Sequence, residues 1–288
     1  MAVPPLRELV AAGHDIALCV TRPDRRRGRG GAVTPSPVKE AALELGIPVS
    51  HSMDDVAASG VELAIVVAYG RIIPAALLDR VPMVNLHFSL LPRWRGAAPV
   101  EWAILAGDAE TGVCLMKVEE GLDTGPVYAR RAVPIPEDFD LDRLRHVLVD
   151  VGSALLVASL SDGLAGLPVP VPQEGEPTIA SKLTPQDLEL HWEQEGAQLQ
   201  RIIRLGRAWT TFRGRRLGIL KATLVDAGTG EVADTDGLGV GTLVGTSAIT
   251  GHGTLELEEV QPESRAPMTA ADWARGARPL AGERLGSD

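Results

Sequence analysis

Three apolar runs of strand length, residues 16–21, 63–68 and 83–87, stand in the first third of the chain, with segments of helical character before and between them. The first two are apolar at consecutive positions, the pattern of strands buried on both faces, and the third is apolar apart from Asn85 and His87. Strands alternating with helices imply an α/β domain built on a mostly parallel, Rossmann-like sheet. The helices carry their own punctuation. Residues 6–12 follow Pro4 and Pro5 and stop at Gly13; residues 37–46 begin with the N-cap Ser36 and first-turn Pro37 and stop at Gly46; residues 99–106 begin at Pro99 and close at Gly107. Two further strands are predicted over 112–118 and 127–135. After them Leu141, Leu144, Leu148, Val151, Leu155 and Ala158 fall at three- and four-residue steps, the stripe of an amphipathic helix facing the core.

A doubly wound sheet ordinarily opens with a strand that feeds its first helix. Here the first helix begins almost at Met1, so the sheet is expected to lack its first strand and to expose the edges beside it. On the usual strand length, this suggests a start site placed about ten residues late. The composition shifts again from Gly166 to Pro185. Val169-Pro-Val-Pro-Gln-Glu-Gly-Glu-Pro177 is extended and proline-rich and reads as a linker. The predicted organisation is a domain over 1–168, a linker over 169–190 and a C-terminal domain over 191–288. That last domain shows a short helix near 197–205, then strand-like runs at 217–225, 239–245 and 254–260 between glycine turns, consistent with a small β-barrel.

Composition narrows the class. Hydrophobic residues make up 45% of the chain, enough for a packed core. No apolar stretch reaches the 18 or so residues of a membrane span, and the N-terminus lacks a signal-peptide pattern. Cys19 and Cys114 lie in apolar runs with no zinc spacing, as in a reduced, cytoplasmic protein without a metal. The net charge of −10 argues against a general nucleic-acid binder, but the arginines are clustered.

Residues 85–125 carry the chemistry. Asn85 and His87 are two apart on a predicted strand, so their side chains share a face. They sit at its C-terminal end, where open parallel sheets place ligands. Asp123 lies in the loop Gly121-Leu-Asp-Thr-Gly125, which can return a carboxylate over the same edge. An amine attacking an activated carbonyl needs a donor for the developing oxyanion, which the Asn85 amide supplies, and a base, which His87 supplies; Asp123 can orient the imidazole, raise its pKa or relay a proton. Taken singly, each residue has a simpler reading: a satisfied strand-end histidine, a turn asparagine, a loop-capping aspartate.

The stretch Ser89-Leu-Leu-Pro92-Arg-Trp-Arg-Gly96-Ala-Ala-Pro99, with Gly107-Asp-Ala-Glu-Thr-Gly112-Val, Thr34-Pro-Ser-Pro-Val-Lys39 and Val66-Val-Ala-Tyr-Gly70, resembles the formyltransferases that use 10-formyltetrahydrofolate, and among them the methionyl-tRNA branch. The similarity runs from about residue 3 to residue 285. It implies the formyltransferase fold, an OB-like C-terminal domain, 10-formyltetrahydrofolate as co-substrate and initiator methionyl-tRNA as acceptor. It also implies Asn85, His87 and Asp123 as the catalytic trio and Ser89, Leu90, Leu91 and Pro92 as a folate contact.

Two arginine clusters bear on the acceptor. The loop 22–31 carries Arg25, Arg26, Arg27 and Arg29 and lacks the GxGxxG spacing of a dinucleotide loop, so phosphate contact is the alternative to a merely solvated loop. The resemblance assigns it to the tRNA acceptor end. The second cluster, with Arg204, Arg207 and Arg213, interleaves Trp209 and Phe212 and reads either as the charged outer face of a barrel or as a tRNA-binding face. A monomer is expected, and a formyltransferase acting on a small amine, or a tRNA-binding protein impaired by the missing strand, are the alternatives this sequence leaves.

Overall fold

The computed structural model describes residues 1–26, 33–225 and 238–286. They form two compact units: Met1–Val100 with Ala109–Ile135 and Arg143–Ser181, and Glu101–Asp108 with Pro136–Asp142 and Lys182–Asp288.

In the first unit the punctuation acts as expected. Pro4 and Pro5 lie at the start of the helix Val3–Ala11, and the Ser36 hydroxyl accepts from the Lys39 N–H at 3.3 Å at the start of Pro37–Glu44. Strand Cys19–Val20 pairs in parallel with Val49–Ser50, and Ala64–Val67 pairs in parallel with Met83–His87. The sheet then turns antiparallel: Met83–His87 pairs with Glu110–Lys117, and that strand with Val127–Pro134. The last two strands are joined by the short connection 118–126, which closes a hairpin and cannot make a parallel crossover. The four-stranded sheet is therefore mixed, parallel only where its strands follow the expected alternation.

Helix Leu141–Ser159 covers this sheet. Leu144, Leu148 and Leu156 are fully buried, and Gly152 lets the helix approach so closely that a Cβ there would lie 3.1 Å from Leu86 and 3.2 Å from Val113. The stripe sits slightly off its predicted line. Val149 and Leu156 are buried while Ala158 is exposed, because the contact with Leu115, Val84 and Leu9 recruits Leu156 and Leu160. Among the described residues no strand joins the Cys19–Val20 pair to the four-stranded sheet. An apolar cavity of about 970 Å³ is lined by Cys19 and Val20, by Ile65 and Val67, and by Leu6 and Leu9 of the first helix.

The second unit holds the helix Gly196–Ile203 and a six-stranded antiparallel sheet. Its strands run in the order Trp209–Phe212, Arg215–Val225, Thr254–Pro262, Ser247–Ile249, Leu243–Val244, with Met268–Thr269 also paired to Thr254–Pro262. The helix Ala270–Ala277 is capped by the Thr269 hydroxyl, and its signal in the sequence is the capping run Thr269-Ala-Ala-Asp272. No helix of the described residues is long and apolar enough to cross a membrane.

Removing side-chain volume at the centre of the helix–sheet contact leaves a cavity. Leu148→Ala is expected to cost about 2–5 kcal/mol, measured by denaturant unfolding. A loss below about 1 kcal/mol would show that the helix does not carry the core as described.

Candidate active site

Strand Met83–His87 lies between Ala64–Val67 and Glu110–Lys117, with Asn85 opposite Val66 and Met116 and His87 opposite Cys114. This pairing fixes both side chains on one face of the sheet. Asp123 arrives from the loop after Glu110–Lys117. It adopts a left-handed φ of 50°, which aspartate tolerates better than most residues. Gly125 makes the return possible, since a Cβ there would sit 2.0 Å from the Lys117 carbonyl oxygen. The three expected side chains do meet. Asn85 Nδ2 donates to Asp123 Oδ1 at 3.4 Å, and His87 Nδ1 lies 3.6 Å from Asp123 Oδ2. The Gly96 N–H donates to the same Oδ2 at 2.8 Å.

The other imidazole nitrogen settles the tautomer. His87 Nε2 is 2.9 Å from the Trp94 carbonyl oxygen. A carbonyl can only accept, so Nε2 carries the proton, and in the neutral ring Nδ1 presents its lone pair towards Asp123. His87 is only 5% exposed, and burial pushes its pKa below the ordinary value; the Asp123 carboxylate and the bond to Trp94 oppose that shift. The ring is thus a neutral base near pH 7 whose protonated form has an anion beside it to receive the charge.

Neither neighbouring candidate nucleophile competes. Cys114 is wholly buried, burial raises its pKa, and so it stays a thiol. Ser89 is 1% exposed and its hydroxyl donates to the Arg93 carbonyl at 2.5 Å. Among the described residues no cluster of three or more His, Cys, Asp or Glu side chains is placed to hold a metal ion. In the turn 89–92, Ser89 and Leu91 point into the interior, while Leu90 and Pro92 are half-buried.

The arginines divide. Arg25 and Arg26 lie on a short strand paired with Val33–Thr34, and the Arg26 side chain is exposed; Arg27 and Arg29 lie outside the described residues. Arg207 is exposed. Arg204 instead binds its own unit: Nε donates to the Phe139 carbonyl at 2.7 Å and Nη2 to the Pro136 carbonyl at 2.9 Å, and burial lowers its pKa. Arg213 forks onto Glu283 with two bonds of 2.7 Å and donates to the Ala277 carbonyl, so its charge is used to tie down the C-terminal segment. In these two the basic cluster is structural. Sequence spacing could not reveal this, because the carbonyls and the carboxylate that hold them are 64 to 70 residues away.

Residues 169–190, expected as a linker, also do more than connect. The first compact unit extends to Ser181, Val171 pairs with Val127, and Ile179–Ala180 pairs with Arg95–Gly96. The Thr178 hydroxyl accepts from the Trp94 N–H at 2.8 Å, and Gln173 reaches the loop of Asp123. A lone glutamine in a proline-rich run carries no signal of such a role.

Among the described residues, an amide and a buried imidazole at one strand end meet a carboxylate from a neighbouring loop, groups of the kind that acyl transfer needs. The chain belongs to the formyl transferase family: the model of that family matches residues 6–160, and the model of the formyl transferase C-terminal domain matches residues 182–278. It is 40% identical over 293 residues to a methionyl-tRNA formyltransferase of Roseobacter denitrificans, covering 96% of this chain and 92% of the relative. It is 42% identical over 311 residues to one of Streptomyces griseus subsp. griseus, covering 99% and 96%. Among solved structures, an N-formyltransferase from Helicobacter canadensis in complex with folinic acid and dTDP-3-aminofucose shares the fold, with a TM-score of 0.66 and 15% identity over 89% of this chain and 95% of that one.

The lowered His87 pKa sets the pH dependence. A reaction that uses His87 as its base needs the neutral ring, so its kcat should rise with pH through a limb below the ordinary histidine range. Asp123→Asn removes the charge that holds the pKa up, so the limb should move to still lower pH while kcat falls about 10²-fold or more. A pH–rate profile with the limb unmoved in this variant would contradict the pairing.

Proposed function

We propose that this protein transfers the formyl group of 10-formyltetrahydrofolate to the α-amino group of methionine on initiator tRNA, as a cytoplasmic enzyme of translation initiation. The observation that carries the reading is the position of His87 Nδ1, bare and facing Asp123, within one strand face of the Asn85 amide. The amine nitrogen forms a bond to the formyl carbon and gives up a proton to Nδ1. The Asn85 amide donates to the formyl oxygen as it gains negative charge, which for one such donor contributes about 2.7–4 kcal/mol. Asp123 stabilises the imidazolium until the proton passes to the departing folate nitrogen.

The folate donor is a substrate here. The turn 89–92 suits it through its backbone and through Leu90 and Pro92, because the Ser89 and Leu91 side chains are turned inward. For the tRNA, the arginine loop and Arg207 are the favoured phosphate contacts, with Arg25, Arg26, Arg27 and Arg29 on the loop; Arg204 and Arg213 are given to internal bonds. The near full-length match to methionyl-tRNA formyltransferases at about 40% identity supports this acceptor over a small amine.

The test offers the purified chain 10-formyltetrahydrofolate with methionyl initiator tRNA, and in parallel with glycinamide ribonucleotide or an amino sugar. N-formylmethionine should be recovered after deacylation of the tRNA, and turnover should fall as salt rises. Formylation of only a small amine overturns the acceptor. In the same assay His87→Ala and Asn85→Ala should each lower kcat by about 10²-fold or more with little change in tRNA affinity; near-normal kcat in either removes that residue from the mechanism.

A further inference from the structure

The loop that carries Asp123 has little packing of its own. Glu120, Gly121, Leu122 and Thr124 are exposed, with Leu122 at 59%, so hydrogen bonds rather than core contacts must hold the carboxylate in place. Gln173 supplies them. Its Nε2 donates to the carbonyls of Asp123 and Gly125, both at 2.8 Å, which uses both amide hydrogens on the loop. Its Oε1 accepts from Arg95 Nε at 3.0 Å and Nη2 at 2.6 Å. Arg95 precedes Gly96, whose N–H holds Asp123 Oδ2, and follows Trp94, whose carbonyl holds His87 Nε2. One side chain thus clamps the main chain of the Asp123 loop to the segment that fixes both the carboxylate and the imidazole.

The segment that carries Gln173 is itself anchored at both ends, by the Val171–Val127 pairing and by the Arg95 N–H bond to the Thr178 carbonyl. A side chain here must donate twice and accept from a guanidinium, and of the common residues of this length only glutamine does both. Glutamate would keep Arg95 and present an anion to two carbonyls; alanine would lose both ends.

We propose that Gln173 is a positioning residue for formyl transfer, setting the distance between the Asp123 carboxylate and His87 Nδ1 by clamping the 121–125 loop to residues 94–96. The inference rests on the proposed reaction, and its test includes one readout that does not. The titratable and charged groups on the elements packed against His87 are Asp123 on its loop, Glu110, Cys114 and Lys117 on the neighbouring strand, and Arg93 and Arg95 on the following turn. Burial raises the Cys114 pKa, so it stays a thiol, and Asp123 is the charged group that acts on the His87 titration, so a change in that titration reports on Asp123.

The experiment compares the full chain with Gln173→Ala and Gln173→Glu. Steady-state formylation of methionyl-tRNA should show kcat lowered about 10–100-fold, KM for both substrates within about 3-fold, and the acid limb at lower pH in both variants. Nitrogen-15 NMR of the His87 imidazole should show its midpoint moved to lower pH in the same variants. Glutamate separates the two ends of the clamp: wild-type behaviour in Gln173→Glu would mean that the Arg95 end suffices and would overturn the proposal. A loss of kcat with an unmoved limb and an unmoved His87 midpoint, or with a fall in melting temperature alone, would reduce Gln173 to a structural part and also overturn it. If the unchanged chain does not formylate methionyl-tRNA, the proposed reaction fails, and the His87 midpoint alone decides: moved in both variants it upholds the positioning, unmoved it refutes it. Should Gln173→Ala not fold, the same readouts on Gln173→Glu decide.

Discussion

The hydrogen bond from His87 Nε2 to the Trp94 carbonyl determines which nitrogen of a buried ring can do chemistry. Burial makes an unpaired ring nitrogen costly, so the bond is held, and a carbonyl partner allows only one tautomer. With Nε2 used in this way, Nδ1 is the free base, and the only side chain that needs to be near it is one that welcomes a proton there. Asp123 is that side chain, and its other contacts, to the Gly96 N–H and the Asn85 amide, hold it in place.

This arrangement depends on three stretches of chain converging on one strand end. The sheet fixes Asn85 and His87 through pairing on both sides of Met83–His87. The turn after it brings the Trp94 carbonyl back over His87, and the Thr178 hydroxyl holds Trp94 from the other side. The loop 121–125 returns because Gly125 has no Cβ to strike the Lys117 carbonyl. Formyl transfer from an activated donor asks little more of a protein than an oriented amine, an oxyanion donor and a base, so a site made of an amide, an imidazole and a carboxylate suffices.

Much of this was legible in the residues. Caps, stops and apolar periods placed the helices Val3–Ala11, Pro37–Glu44, Pro99–Ala106 and Leu141–Ser159 to within a few residues, though not the short helices Asp54–Ala58 and Ala75–Leu78, and period two put Asn85 and His87 on one face. The glycine-bracketed loop 121–125 offered Asp123, and the resemblance joined the three into one trio. Short helices aside, what escaped is long-range. The antiparallel half of the sheet follows from the connection 118–126, not from any strand's composition. Val169 to Pro177 reads as a spacer because proline excludes helix, yet extended backbone is also what pairs with Val127 and Arg95–Gly96. Gln173 lies 50 residues from Asp123, and Arg213 lies 70 from Glu283, with no pattern joining either pair. Charge clustering also did not show that Arg204 and Arg213 have partners far along the chain.

The central claim is that His87 is a neutral base with its proton on Nε2. Nitrogen-15 correlation spectra of the imidazole at neutral pH test it most directly, because the two tautomers give distinct patterns for the protonated and bare nitrogens. The account predicts the Nε2–H form with Nδ1 unprotonated. A ring carrying its proton on Nδ1 would contradict it, since the atom assigned to take the amine's proton would already be occupied.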